Sequence, residues 1–257
     1  MSETKEVVKF TQWNGEQVFR FRQQLDKGLQ AWGIAVLPDF IDHCTTYAEA
    51  LVATNAHLNL TAITDPDGVA EKHFVDSLSP LLLNLPNGPV TAIDVGTGAG
   101  FPGLPLALIR PQWRVTLLDS LNKRCRFLSE TTERLGLTNV QILHGRAEDS
   151  ARNPLLRDKY SIVVSRAVAR LPVLLELCLP FVTVGGSFIA LKGPDGPAEV
   201  EEAKRALPLL GGDLEEVKSI ALPLSGDRRT LIIVRKQKPT DAAYPRKAGI
   251  PNRKPLL

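Results

Sequence analysis

The chain holds 257 residues, 44% hydrophobic and 23% charged, with a formal net charge of +3. This composition excludes a disordered chain and suits a globular protein able to bury a sizeable core; the mild basicity permits a nucleic-acid partner without demanding one. Three cysteines with no C-x-x-C pair, four histidines without metal-ligand spacing and no apolar run of about 18 residues give no basis for a disulfide framework, a metal or a membrane span.

The polar N-terminus, MSETKEVVKF, does not read as a signal peptide. The working expectation is a reduced, cytoplasmic monomer. Residues 1–14 are expected to fray. Over 15–33, Val18, Phe19, Phe21, Leu25, Leu29 and Trp32 recur at close to helical spacing and predict an amphipathic helix. Pro38 opens a second helix with Ile41, Cys44, Tyr47, Ala48, Leu51 and Val52 as its stripe. HLNLTAIT (57–64) reads as a connector, 65–68 as a turn and 69–83 as a further helix, broken by PNGP. An N-terminal helical region, 1–88, ends there.

Beyond it, strands and helices alternate. Strands are predicted at 89–94, 113–118, 139–144, 160–164 and 186–191. Helices are predicted between Pro102 and Pro111, at 122–136 with Asn122 as cap and Gly136 as stop, and at 171–182 and 197–210. The alternation predicts an α/β fold, a mostly parallel sheet with helices on both faces. Strands 214–222 and 229–235, separated by a short loop, add an antiparallel pair. The core domain therefore spans 89–237. The tail, 238–257, is basic and proline-rich, and its prolines argue against a regular helix or strand.

The chemistry begins at DVGTGAGFPG, residues 94–103. Read from Gly98 it is a literal G-x-G-x-x-G, the dinucleotide fingerprint. Read from Asp94 it is an acid followed by glycines at alternate positions. A βα turn with no ligand is the plain alternative. Asp94 favours S-adenosylmethionine, because a strand-end carboxylate accepts from a methionyl ammonium, directly or through water, and repels a pyrophosphate. Asp119 ends the next strand. It suits a ribose diol under either reading, or else caps the helix at 122.

Around this loop stand HLNLTAI, EKHFVDSL, TLLDSLNKRCRFL, HGRAED, SRAVARL, LELCLPFVTVGG, ALKG and the tail YPRKAGIPNRKPL. Together they resemble the bacterial small-subunit rRNA 7-methylguanosine methyltransferases, the glucose-inhibited division protein B (GidB) family. The likeness runs from about residue 50 to the C-terminus. It implies a class I, Rossmann-like methyltransferase fold with an antiparallel last strand. It also implies S-adenosylmethionine as cofactor and methylation of a guanine N7 in the decoding region of 16S rRNA, within the RNA or a small-subunit particle. Carried over motif by motif, the implied cofactor contacts are Asp94, Gly96, Gly98 and Phe101 in the glycine loop. Asp119, Ser120 and Leu121 would face the ribose, and Ala147 and Glu148 the adenine. Arg166, also among the implied cofactor contacts, lies where the target base enters. Arg166, Arg170, Arg246, Lys247, Arg253 and Lys254 are the candidate RNA contacts. Each has a plainer alternative: Phe101 packing beneath the loop, Glu148 as a solvated acid at a helix start, Arg166 in a surface ion pair, the tail as a solvated extension. His57 and His73 are expected to be structural.

Guanine N7 carries a lone pair and no proton. Transfer to it needs alignment at about 3–3.5 Å and no general base, so no catalytic acid or base is assigned. After the fourth strand the chain reads SRAVAR, not the Asn/Asp-Pro-Pro-aromatic run of many exocyclic-amine methylases, and no Pro-Cys marks a cytosine-C5 enzyme. A-form RNA hides its major-groove edge, so the target is expected in a loop or an opened segment. A methyltransferase for another substrate, an NAD-dependent oxidoreductase and a non-enzymatic RNA-binding module are the alternatives.

Overall fold

A computed structural model describes residues 12–257. Most of the stretch expected to fray lies outside the described residues, but its end does not fray. Trp13 is buried and its indole donates to the Thr64 carbonyl at 3.0 Å. Asn14 caps α1 (Gly15–Ala31) in a reciprocal box with Gln17; Phe19 proves to be exposed. Helix α2 (Phe40–Leu58) starts two residues past Pro38 and stops at Asn59, which is left-handed with φ 48°. The single helix expected over 69–83 is instead irregular. A turn, α3 (Pro66–Gly68), runs into a π-helical stretch, Val69–Val75, and a 3-10 turn, Ser79–Leu82. Pro80 lacks the N–H that a continuing α-helix needs.

Seven strands form one sheet: β1 (Thr91–Val95), β2 (Arg114–Asp119), β3 (Val140–His144), β4 (Tyr160–Arg166), β5 (Val182–Lys192), β6 (Gly212–Ala221) and β7 (Arg228–Lys236). Their order is β3-β2-β1-β4-β5-β7-β6. The first five are mutually parallel, and β7 runs antiparallel to both β5 and β6. The intervening helices are α4 (Gly103–Ile109), α5 (Asn122–Arg134), α6 (Ala147–Ser150), α7 (Leu171–Cys178), α8 (Gly196–Glu202) and α9 (Ala206–Leu209). Helix α7 ends earlier than its spacing predicts, because a 3-10 turn containing Pro180 follows and β5 begins at Val182. The helix expected over 197–210 is split into α8 and α9. Asn122 makes no capping bond; Leu121 holds the cap position. Gly136, at φ 64°, does sit just past the end of α5.

Alternation along the strands sorts side chains to two cores. Ala92, Val115, Leu117, Ile162, Val164 and Ile189 pack with Phe21, Leu51, Leu104 and Leu128 from α1, α2, α4 and α5. Ile93, Val95, Val163, Phe188, Ile232 and Val234 pack with Leu174, Val200 and Leu207 from α7, α8 and α9. The N-terminal helices therefore share a core with the sheet, and residue 88 marks a change of pattern and not a gap between cores. The tail also folds back. It contains one helical turn, α10 (Ile250–Arg253), and Tyr244 and Leu256 pack on the second core. No helix among the described residues is long and apolar enough to cross a membrane.

Candidate active site

The sheet order reverses between β1 and β4, where an open parallel sheet leaves a crevice at its strand C-termini. The glycine loop fills this place. The Gly96 and Thr97 amides donate to the Leu118 carbonyl at 2.9 and 3.0 Å, tying the loop to β2. Gly96, Gly98 and Gly100 all have positive φ. At Gly96 (φ 74°) a Cβ would stand 2.5 Å from Val168 Cγ2, so only glycine lets the 166–169 segment approach.

Two carboxylates hold the loop. Asp94 is fully buried; its Oδ2 accepts from the Thr97 hydroxyl (2.7 Å) and the Gly103 amide (2.8 Å). Its Oδ1 has no partner among the described residues. Burial pushes the Asp94 carboxyl up to about 6. Asp119 accepts from the Gly98 amide through Oδ2 (2.9 Å) and from the Leu121 amide through Oδ1 (2.8 Å). It thus couples the loop to the start of α5, and Arg124 stands 3.4 Å from Oδ2.

A cavity of about 350 Å³ opens above this frame. Of the expected cofactor contacts, Gly96, Asp119, Ser120, Ala147 and Glu148 line it. Gly98 and Leu121 take part through backbone amides on Asp119, and the Leu121 side chain is exposed. Asp94 lies beneath the floor. Glu148 is not a solvated acid: it is buried, and its Oε1 accepts the Gly249 amide at 3.0 Å. Phe101 is not at this cavity. It is buried under the loop, stacked with Tyr47 (5.0 Å, 16°) and His73 (4.9 Å, 18°), and the Tyr47 hydroxyl donates to the Ala99 carbonyl. Aromatic area placed against α2 gains more from this packing than from exposure.

Arg166 also lies outside the first cavity and lines a second, of about 440 Å³, with Lys72, His73, Asp76, Lys192 and Arg229. Its guanidinium stands over the Phe101 ring, 5.5 Å from the centroid. It donates to the Lys72 carbonyl (3.0 Å) and to Asp76 Oδ2 (3.2 Å). Arg229 Nε donates to the same Asp76 oxygen at 3.2 Å. The partner of Arg166 is therefore a buried acid and not a surface one. Burial, reinforced by Arg166, pushes His73 down to about 3, so its ring is neutral at physiological pH. His73 Nε2 meets Thr61 Oγ1 at 2.7 Å, and Nδ1 has no partner among the described residues. Ala167 lines both cavities and holds a left-handed φ of 57°.

The other expected RNA contacts divide. Arg246 is turned inward, paired at 2.6 Å with the fully buried Glu176. Arg170 forms a fork with Glu202 at the surface. Lys247, Arg253 and Lys254 are exposed. Sequence reasoning missed Lys72, Asp76, Arg229 and Asn252, the last of which lines the first cavity. Lys72 and Asp76 lie inside the EKHFVDSL motif, but nothing local in the chain points to Arg229 or Asn252.

Comparison with known proteins gives this geometry a family. The family model for GidB, rRNA small subunit methyltransferase G, matches residues 41–231. Ribosomal RNA small subunit methyltransferase G of Lactobacillus delbrueckii subsp. bulgaricus is 52% identical over 213 residues, 82% of this chain and 89% of that one. The protein of the same description from Acetivibrio thermocellus is 45% identical over 241 residues, 94% of this chain and 99% of that one. Among solved structures, a 16S rRNA adenine-N(1)-methyltransferase from Catenulisporales acidiphilia superimposes with a TM-score of 0.51 at 16% identity, over 60% of this chain and 89% of that one. TYW2 of P. horikoshii, in complex with MeSAdo, does so at 0.50 and 16%, over 63% and 61%. These two show the fold alone. With a family model matching residues 41–231 and relatives that span most of its length, the chain belongs to the GidB family of rRNA small subunit methyltransferases.

Proposed function

We infer that the chain transfers a methyl group from S-adenosylmethionine to N7 of a guanine in 16S rRNA. The observation that carries this reading is Ala167, the common wall of the two cavities. One cavity offers a glycine-lined floor and strand-end acids, and the other offers cations around a stacked aromatic.

The residues of the first cavity fit the cofactor. Gly96 lets it approach the backbone, Asp119 and Ser120 suit a ribose diol, and Ala147 and Glu148 stand at the adenine side. Asp94 Oδ1, buried and unpartnered, suits an ammonium group, reached directly or through one water. S-adenosylmethionine, when bound, supplies an electrophilic methyl group on a sulfonium.

The second cavity receives the base. Asp76 and Phe101 fix the Arg166 fork, leaving guanidinium N–H groups to meet guanine O6 while N7 keeps its lone pair free for attack. His73, neutral and stacked on Phe101, lines the same cavity. No residue abstracts a proton, because N7 has none to lose. Lys247, Arg253 and Lys254, exposed and cationic, suit RNA phosphates.

Two experiments test the reading. Mapping of aniline-cleavable 7-methylguanosine in 16S rRNA from cells lacking this protein should show one site lost; an unaltered pattern rejects the substrate. Calorimetry should show binding of S-adenosylmethionine and none of NAD, and the reverse result rejects the cofactor.

A further inference from the structure

The basic tail is anchored to the domain at several points. Arg157 donates to the carbonyls of Thr240 (2.6 Å), Asp241 (3.1 Å) and Tyr244 (2.9 Å), and Arg152 donates to those of Ala243 and Pro245. The Arg246 backbone and guanidinium both donate to Glu176, which is fully buried. Pro251 is buried. These anchors deliver the next turn to the mouth of the cofactor cavity. There the Gly249 amide donates to Glu148 Oε1 at 3.0 Å, and Asn252, three residues on, joins the lining.

We propose that residues 249–252 form a wall of the cofactor cavity and that the Asn252 carboxamide recognises the adenine of the bound cofactor. This rests on the assignment of that cavity to S-adenosylmethionine. Asn252 shares the cavity with Ala147 and Glu148, the residues after β3, and is bound to their side of it through Gly249. A carboxamide carries a donor and an acceptor side by side. Adenine presents an amine donor beside a ring-nitrogen acceptor, the pair that asparagine matches with two hydrogen bonds. Glu176 and Arg246 are positioning residues, since they fix the segment without lining the cavity. The exposed cations Lys247, Arg253 and Lys254 flank this wall, so one short segment serves the cofactor with Asn252 and the solvent side with its charges.

The test uses the full-length chain, Asn252→Ala and a chain ending at Lys247, which keeps the Arg246 anchor. Calorimetry with S-adenosylmethionine, S-adenosylhomocysteine and S-inosylhomocysteine is set beside ligand-free melting. Loss of the carboxamide should weaken S-adenosylhomocysteine about tenfold. It should also shrink the preference for the adenosyl over the inosyl ligand, a ratio that a merely structural role would not move. The ligand-free melting of Asn252→Ala should match the parent. The shortened chain should bind no better than Asn252→Ala; if it does not fold, Asn252→Ala decides alone. Affinity within about twofold of the parent, with the ratio unchanged, overturns the proposal while leaving the cavity assigned. A parent chain that binds no S-adenosyl ligand, or a Gly96→Val variant that binds as well as the parent, overturns both.

Discussion

Asp94 and Gly103 meet at 2.8 Å beneath the glycine loop, carboxylate oxygen to backbone amide. This contact joins the end of β1 to the start of α4 and leaves no room between them. A Cβ at residue 103 would stand 2.8 Å from Asp94 Cβ and 2.4 Å from Leu117 Cδ2. Gly103→Ala should therefore cost about 1–3 kcal/mol by overpacking and displace Asp94. Denaturant unfolding checks the first effect and cofactor titration the second. A variant with parental stability and affinity would show that the loop accommodates the methyl group.

Asp94 gives the protein an opposed pH dependence. Its folded value of about 6 lies above the ordinary carboxylate value of 3.8. The folded chain therefore takes up the proton before the unfolded chain does. Stability of the cofactor-free chain should fall as pH rises from about 4 to about 6 and then level off. Affinity for S-adenosylmethionine should move the other way, weakening as pH falls through about 6, because an ammonium needs the ionised acid. Asp94→Asn should flatten both curves and weaken binding about tenfold at neutral pH. Binding that stays pH-dependent in Asp94→Asn would assign the titration elsewhere.

Asp76 lies between two arginines, and its neighbours make its loss expensive. Removing a buried acid from a pair typically costs about 3–5 kcal/mol, and Asp76→Ala would leave Arg166 and Arg229 facing each other. Arg166→Lys is the milder probe. One ammonium cannot bond the Lys72 carbonyl and Asp76 while stacking over Phe101. Single-turnover methylation of small-subunit particles should fall by about a hundredfold, with cofactor affinity within about twofold of the parent. A matching loss of cofactor affinity would move Arg166 to the first cavity.

The tail should separate into structural and RNA-facing cations. Arg246→Ala leaves Glu176 buried without its partner and should lower stability by about 3–5 kcal/mol, with the salt dependence of RNA binding preserved. Replacing Lys247, Arg253 and Lys254 by alanine should do the reverse. The slope of log affinity against log salt should shrink by about 2, with melting unaffected. Equal slopes for the parent and the triple variant would remove these three side chains from the RNA contact.

Local pattern carried the architecture. The short, mostly apolar runs AIDV and TLIIV, the helical stripes of α1 and α2, and the short gap between the last two strands are set by neighbours a few residues apart. They were therefore legible in the chain, as was the glycine loop that opens the crevice. Helix lengths were less so: Pro80 and Pro180 stop ladders that apolar spacing alone would continue. The roles of individual charged and aromatic residues were not legible, because they depend on partners far along the chain. Arg166 meets Asp76 across 90 residues, Arg246 meets Glu176 across 70 and Gly249 meets Glu148 across 101. A side chain's chemistry is written in its identity. Whether a guanidinium faces RNA or a buried carboxylate, or a phenyl ring faces a cofactor or a tyrosine, is settled by burial, since a desolvated charge must find its counterpart wherever the fold brings one.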